Sequence, residues 1–188
     1  MGITIHYQGK INELSLIDNF IDELTDISNE LEWKNHIIDD NELNIKGIMI
    51  SPPPECELLT FLFDKTTGII KDRIILAFDD MGDDHYKYNH TKTQFAPINV
   101  HITIIKLLKY LQGKYISDLA VTDEGEYWET NDAELLQTKF DFLDEMINLI
   151  TDSLNKTQKK PGESVESLAE RIEKILAEIH ERNRNKYG

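Results

Sequence analysis

Hydrophobic and polar residues alternate at the start of the chain, with apolar side chains at Ile3, Ile5 and Tyr7. A period of two is typical of a strand that buries one face. The period then lengthens to three and four residues, which predicts an amphipathic helix after a short turn. The apolar face of this helix consists of Leu14, Ile17, Ile21, Leu24 and Leu31. We expect Trp33 to end the helix and the polar stretch 35–42 to be a loop.

Four runs of alternating or continuous apolar residues follow and predict strands. They cover residues 45–50, 58–63, 69–78 and 86–91. Pro52-Pro53-Pro54 stops the first run, because proline cannot donate a hydrogen bond to a strand ladder. The stretch from Asp64 to Gly68 is typical of a hairpin turn, in which the glycine supplies a positive φ. The connections are short, so these strands are predicted to form an antiparallel meander.

Two more helices are predicted in the second half of the chain. Pro97 suits the first turn of one of them, and Gly113 lies where a left-handed C-cap residue is expected. Asn131 and Glu134 have the spacing of a capping box at the start of the other, longer helix. Between the two helices, the apolar run 119–121 predicts one further short strand.

These elements predict an α+β fold in which a largely antiparallel sheet of about five to six strands packs with three helices. We expect residues 1–156 to form this acidic domain and the polar stretch 157–163, with its Pro-Gly pair, to be a linker. A C-terminal amphipathic helix is predicted over 164–188, where apolar residues again lie three and four apart. Its narrow apolar stripe indicates either a helical hairpin with the preceding helix or a surface through which the protein forms a homo-oligomer.

The net charge of the chain is −15, and it is distributed unevenly. Residues 164–188 contain five basic and five acidic residues, so residues 1–163 carry the whole excess, 30 Asp and Glu against 15 Lys and Arg. Such an acidic body repels phosphate backbones and disfavours nucleic-acid binding. It favours a basic protein partner or a multivalent cation, unless the charge serves only solubility.

The densest group of chemically active side chains lies at 123–132, between the last short strand and the long helix. Its binding candidates are Glu124, Glu126, Tyr127, Trp128 and Glu129. Three glutamates in one turn suit a hard divalent cation such as Mg²⁺ or Ca²⁺. The alternative is structural, because acidic residues also stabilise the start of a helix through its dipole.

A second acidic group follows the third predicted strand. Its candidate metal ligands are Asp79, Asp80, Asp83, Asp84 and His85. Carboxylates and an imidazole are suitable metal ligands, but aspartates interspersed with glycine are also typical of a solvated turn. The turn interpretation is favoured unless these residues face the 123–132 segment in space.

Lys92, Thr93 and Gln94 form a third group, flanked by His90 and His101, where a strand is predicted to pass into a helix. Backbone N–H groups point outward at the start of a helix, so this group suits a carboxylate or a phosphate. His101 also lies on the apolar face of the predicted helix, as expected for a histidine buried in the core.

No motif in the chain identifies a catalytic activity. The sequence lacks serine-hydrolase elbows, glycine-rich phosphate loops and zinc-binding cysteine pairs. The one cysteine, Cys56, excludes an internal disulfide and predicts a reducing, cytoplasmic location, and no apolar run is long enough to suggest a membrane span.

The sequence is compatible with two functions. The first is an inhibitor- or immunity-like module whose acidic face engages a basic protein partner. The second is a metal-dependent hydrolase that uses the clustered carboxylates, with Lys92 stabilising the developing negative charge. We favour the first, because the second depends on the clustering of acidic residues alone.

Overall fold

A computed structural model of the chain describes residues 2–53, 55–78, 86 and 88–156, together with positions 170, 173, 174 and 177. The strands in this part of the chain are β1 (Thr4–Gln8), β2 (Lys34–Asp40), β3 (Ile45–Ser51), β4 (Leu59–Asp64), β5 (Ile70–Lys71), β6 (Asn89–Lys92) and β7 (Ala120–Asp123). The helices are α1 (Ile17–Glu30), α2 (Ile98–Lys114), the single turn α3 (Tyr127–Thr130) and α4 (Ala133–Lys156). Two short 3-10 helices cover Leu14–Leu16 and Arg73–Leu76.

The strands form two antiparallel sheets, one with the order β6-β1-β7 and the other with the order β2-β3-β4-β5. The predicted α+β class and the antiparallel pairing are confirmed, but the strands divide between two sheets instead of forming one. The division arises because β1 is a central strand that pairs with β6 and β7, both distant in the sequence. A backbone bridge between Lys10, after β1, and Ile69, before β5, joins the two sheets.

Strand β2 occupies most of the stretch 35–42 that was predicted to be a loop, and this prediction was wrong. The seven residues of β2 pair with β3 in continuous register. Asp40 then shapes the turn by accepting hydrogen bonds from the N–H groups of Glu42 and Leu43. A polar strand is tolerated here because β2 lies at the edge of its sheet, where much of each residue faces solvent.

The predicted strand 69–78 is shorter than expected, because β5 contains only two residues. The Asp72 carboxylate accepts a hydrogen bond from the N–H of Ile74 and starts a 3-10 helix in place of the strand. On the side of β4 away from β3, no strand therefore pairs with Thr60, and Tyr7 of β1 takes that place. The Tyr7 hydroxyl donates to the Thr60 carbonyl oxygen and accepts from the Thr60 N–H, both at 2.9 Å.

Phe20 of α1 is fully buried. Its ring makes edge-on contacts with Phe61, Phe63 and Tyr115, whose centroids lie 4.9–5.3 Å away. Phe61 and Phe63 belong to β4 and Tyr115 follows α2, so one side chain connects α1 with both elements. Aromatic pairs of this kind contribute about 0.5–1.5 kcal/mol each beyond the burial of their area.

Helix α2 does not end at Gly113 as predicted. It continues to Lys114, and the N–H of Tyr115 still donates to the Leu111 carbonyl oxygen at 2.8 Å. Burial of Tyr115 against α1 holds the last turn in helical geometry, so no left-handed glycine is required there.

Residues 1–140 form one compact unit and residues 141–188 form a second. The predicted linker at 157–163 lies outside the described residues, as does the predicted helix at 164–188 except for four positions. No helix in the described part of the chain is long and apolar enough to cross a membrane.

Candidate functional site

The acidic segment 123–132 begins with a carboxylate that points into the core. Asp123 is the last residue of β7, and both of its oxygens lie 3.2 Å from Nε2 of His101 on α2. The other ring nitrogen, Nδ1, is 2.7 Å from Oγ1 of Thr93. All three side chains are buried. Thr93, His101 and Asp123 therefore form a polar chain inside the protein, closed to a substrate in this structure.

The same carboxylate shapes the turn that follows it. Asp123 accepts hydrogen bonds from the N–H groups of Gly125 at 2.7 Å and Trp128 at 3.0 Å. Burial acts to raise the pKa of Asp123, but the interaction with His101 and the two N–H groups outweigh it and lower the pKa. Gly125 is required by packing, because a Cβ there would lie 2.6 Å from the Leu136 side chain.

Two lysines contact the rest of the 123–132 segment. Nζ of Lys139 on α4 lies 2.7 Å from the Glu126 carboxylate and 3.2 Å from the Glu124 carbonyl oxygen. Nζ of Lys109 on α2 lies 5.4 Å from the centroid of the Trp128 ring, within cation–π range. Glu126 and Trp128 are thus engaged by the protein's own cations.

The predicted capping box at the start of α4 was wrong by one residue. The N-cap is Asp132, which accepts hydrogen bonds from the N–H groups of Glu134 and Leu135 at 2.9 and 3.0 Å. Asn131 instead ends α3 in the left-handed conformation, with φ of 52°. Its side chain accepts a hydrogen bond from Lys109 at 2.7 Å. Asparagine tolerates this backbone conformation, which separates the two helices.

Little of the segment is left for a ligand. Tyr127 is buried, while Glu124 and Glu129 are exposed. Among the described residues, no group of three His, Cys, Asp or Glu side chains is placed to hold a metal ion. The predicted metal ligands of the second acidic group lie outside the described residues: Asp79, Asp80, Asp83, Asp84 and His85.

The third predicted group does not converge on one pocket. Thr93 points inward to His101, whereas Lys92 lies on the opposite, outer face of β6 with its Nζ 5.9 Å from the Phe95 ring. Gln94 is buried, and its Oε1 has no hydrogen-bond partner among the described residues. Successive residues of an extended chain point to opposite faces, so Lys92 and Thr93 cannot share a ligand.

His90, beside this group, also lies on the outer face of the three-stranded sheet. Its two ring nitrogens are 3.7 Å from Asp72 and 3.8 Å from Glu57, both beyond hydrogen-bonding distance. In this arrangement, His90 does not form a binding site together with the 123–132 segment or with Lys92.

The structure directs attention to a surface that sequence reasoning missed. We define the α1–β2 surface as the exposed side chains of residues 17–40, which include six acidic residues and one lysine. Hydrogen bonds from Asn35 of β2 to Ser28 and Asn29 of α1, at 2.8 and 3.2 Å, hold the two elements side by side. The density of acidic residues in the sequence could have indicated this stretch. The prediction of a helix followed by a loop did not place α1 and β2 side by side.

Some acids of this surface are neutralised by cations from neighbouring elements. Lys46 of β3 pairs with Asp18 and lies 3.6 Å from Asp39, and Lys65 contacts Asp39 as well. The hydrogen bond from Lys65 lowers the pKa of Asp39, and the Asp18 carboxylate raises the pKa of Lys46. These pairs join α1 to the four-stranded sheet.

Glu23, on the flank of α1 that faces α2, is held more firmly. It accepts hydrogen bonds from the hydroxyls of Tyr110 and Tyr115 and pairs with Lys114 at 2.7 Å. Burial acts to raise the pKa of Glu23, but these three donors outweigh it and hold the pKa at about 2. This carboxylate anchors α1 to α2 and is not free for a partner.

The outward stripe of α1 is different. Asp22, Asp26 and Glu30 follow one another every four residues, and with Glu32 they are exposed. None of the four contacts a lysine or arginine in the part of the chain that the structure describes.

Comparisons of the chain with known protein families, curated proteins and solved structures found no match.

Proposed function

We propose that this protein is an inhibitor- or immunity-like binding module that engages a basic protein through the α1–β2 surface. The observation that carries the proposal is the stripe of exposed carboxylates at Asp22, Asp26 and Glu30, which no described cation neutralises. Like charges at four-residue spacing destabilise an isolated helix. A basic partner surface relieves that repulsion on binding, so the stripe suits recognition better than stability.

The charge of the whole molecule supports the same function. A net charge of −15 creates a field that attracts a cationic protein and accelerates the encounter. Charged groups at the rim of an interface act mainly on the association rate and on its salt dependence. The field repels nucleic acid, so the proposed partner is a protein.

Apolar side chains supply the contact area that charge alone does not. Ile37 of β2 is 48% exposed and Leu31, at the end of α1, is 37% exposed. Ile37 lies on the face of β2 that α1 covers, between Asn35 and Asp39. Asn35 contacts Ser28 of α1. Asp39 and Asp18 of α1 both lie near Lys46. An apolar centre surrounded by charged residues is the usual composition of a protein interface.

The described part of the chain does not support the hydrolase alternative. The described carboxylates form no group of three suited to a metal, and Glu126 is paired with Lys139. The thiol of Cys56 is a poor nucleophile, because burial and the charge of Glu57 raise its pKa to about 12. A reduced, half-buried cysteine suits a cytoplasmic site of action, which is part of the proposal.

The proposal is tested by neutralising the stripe. A D22N/D26N/E30Q variant removes three charges from the α1–β2 surface, and an E55Q/E124Q/E129Q variant removes three from exposed positions elsewhere. Each protein is immobilised and exposed to native lysate at 50 and 300 mM salt, and retained proteins are quantified by mass spectrometry. We expect the parent and the control to retain the same basic protein at low salt, and the stripe variant to lose it.

Two results would refute the proposal. One is that no basic protein is retained by the parent even at 50 mM salt, where electrostatic attraction is strongest. The other is equal retention by the stripe variant and the control, because the binding would then depend on net charge and not on this surface.

A further inference from the structure

We infer that the basic partner docks on this protein by adding an extended strand to the free edge of β2. The inference rests on the proposed function and specifies how the partner binds. Strand addition to a sheet edge takes its affinity from main-chain hydrogen bonds and its specificity from alternate side chains.

The edge of β2 is open. β2 is the terminal strand of the four-stranded sheet and pairs with β3 along all seven of its residues. In an antiparallel pair, about half of an edge strand's N–H and C=O groups point away from its partner. No hydrogen bond to the outward backbone groups of residues 34–40 is found within the described ranges.

The other sheet edges are protected or short. β5 has two residues and passes directly into a 3-10 helix. The free side of β6 is covered, since the N–H of Lys92 donates to the Glu57 carboxylate at 3.2 Å and the Lys92 carbonyl oxygen accepts from the Glu57 N–H at 3.0 Å. β7 has four residues. β2 is therefore the longest open edge in the described part of the protein.

The centre of β2 lacks the devices that normally prevent strand addition. Natural edge strands are guarded by proline, by a bulge, or by charged side chains, especially lysine. β2 has no proline and no break in register, and its charged residues, Lys34, Asp39 and Asp40, lie at its two ends. Its centre is His36-Ile37-Ile38, with Ile37 half exposed. An open seven-residue edge with no Asp, Glu, Lys or Arg at its centre therefore suits strand addition.

Charge decides which strand fits. Asp22, Asp26, Glu30 and Glu32 are exposed and contact no described lysine or arginine, so pairing β2 with β2 of a second copy would bring two negative surfaces together. A basic segment gains attraction instead. On the face that α1 covers, a partner strand would place an apolar side chain beside Ile37. Asp39 is already paired with Lys46 and Lys65, so the attraction for basic side chains comes from the unpaired acids of the α1–β2 surface.

The test uses a defined probe, an acetylated and amidated octapeptide of alternating lysine and valine. The matched control peptide has one central valine replaced by proline, which keeps the charge but removes a strand hydrogen bond. Binding to the full chain is measured by titration at 50 and 300 mM salt, and amide exchange of residues 34–40 by NMR. We expect at least tenfold slower exchange at alternate β2 amides and at least tenfold weaker binding of the proline peptide.

Two variants locate the site. I37K places a guarding lysine in the middle of the β2 edge, and T122K makes the same charge change at an exposed position on β7. We expect I37K to weaken the alternating peptide at least tenfold and T122K to leave its affinity within about twofold. Circular dichroism is used to check that both variants are folded.

The outcomes separate the two proposals. Equal, salt-dependent binding of both peptides with unchanged β2 exchange would overturn strand addition and leave electrostatic binding of a basic protein intact. If neither peptide binds at 50 mM salt while the stripe variant still loses its lysate partner, strand addition alone fails. If that lysate result also fails, the proposed function fails with it. Protection of β2 that rises with protein concentration, without peptide, would assign the edge to a second copy and overturn the inference.

Discussion

Asp123 and His101 meet in the core, where both carboxylate oxygens lie 3.2 Å from the histidine Nε2 and neither side chain is accessible to solvent. This contact indicates a structural role for the 123–132 segment. Its first acid is a structural anchor that binds the N–H groups of Gly125 and Trp128, and its last, Asp132, caps α4. The most chemically dense stretch of the sequence is therefore largely occupied with its own folding.

Replacing Asp123 by Asn is expected to lower the free energy of unfolding by about 1–3 kcal/mol at neutral pH, the range for an impaired buried polar network. The folded protein lowers the pKa of this carboxyl group. Its stabilising effect is therefore full above the unfolded pKa of about 3.9 and is lost as the pH falls through the folded value. Urea denaturation at pH 7 and pH 3 should show a smaller difference between parent and D123N at pH 3. A difference that does not change with pH would contradict the ionic role of Asp123.

Two glycine substitutions should have opposite signs. A Cβ at Gly125 would lie 2.6 Å from Leu136 and 3.0 Å from both Asp123 and His101, so G125A is expected to cost about 1–3 kcal/mol of stability. Gly113 lies inside α2, and a Cβ added there would meet no atom within 4 Å, so G113A should stabilise by about 0.5–1 kcal/mol. Thermal unfolding of both variants checks the pair. If G113A destabilised the protein instead, the result would support the left-handed C-cap that the sequence predicted at Gly113.

Replacing Tyr7 by Phe removes the hydroxyl that joins the two sheets. The N–H and C=O of Thr60 then remain buried without their hydrogen-bond partner, which costs about 1–3 kcal/mol. Y88F removes the hydroxyl of a tyrosine that is 68% exposed and should change stability by less than about 0.5 kcal/mol. Equal unfolding midpoints for the two variants in guanidinium chloride would show that the Tyr7 hydroxyl does not join the sheets.

The contact between α1 and α2 should weaken in acid. The pKa of Glu23 is lowered from 4.5 to about 2, so its contribution is complete above pH 4.5 and is lost between about pH 4.5 and pH 2. Because part of the site is solvent-screened, we expect on the order of 1 kcal/mol. E23Q should lose that amount at pH 7 and converge with the parent toward pH 2, as measured by urea unfolding. D26N, which alters an exposed acid on the same helix, is the control and should differ little from the parent.

Deletion of residues 157–188 tests the apolar stripe predicted at the C-terminus. A stripe that narrow requires a partner, either within the chain or in a second copy. The truncated protein is therefore expected to change its mass in light scattering or to unfold at lower temperature. An unchanged mass together with an unchanged midpoint would mean that the apolar spacing at 164–188 has no packing role.

The secondary-structure elements that were predicted correctly are those with a clear local hydrophobic pattern. Helices α1, α2 and α4 and strands β1 and β3 were predicted from a regular apolar face, and β4 from a continuous apolar run, both properties of neighbouring residues alone. β2 was missed because an edge strand need not alternate strictly when it is stabilised by pairing with β3. β5 was overextended because Asp72 ends the strand with a side-chain hydrogen bond that hydrophobicity does not report.

The candidate sites depended far more on the fold. The sequence by itself determined an acidic α+β protein and where its carboxylates are dense along the chain. Only the tertiary structure decided which of them are available, since Asp123, Glu126 and Glu23 meet His101, Lys139 and Lys114 from other elements. Neutralisation depends on distances between residues far apart in sequence, and so does the placement of β2 at an open sheet edge beside α1. These distances are set by packing, which no local pattern records.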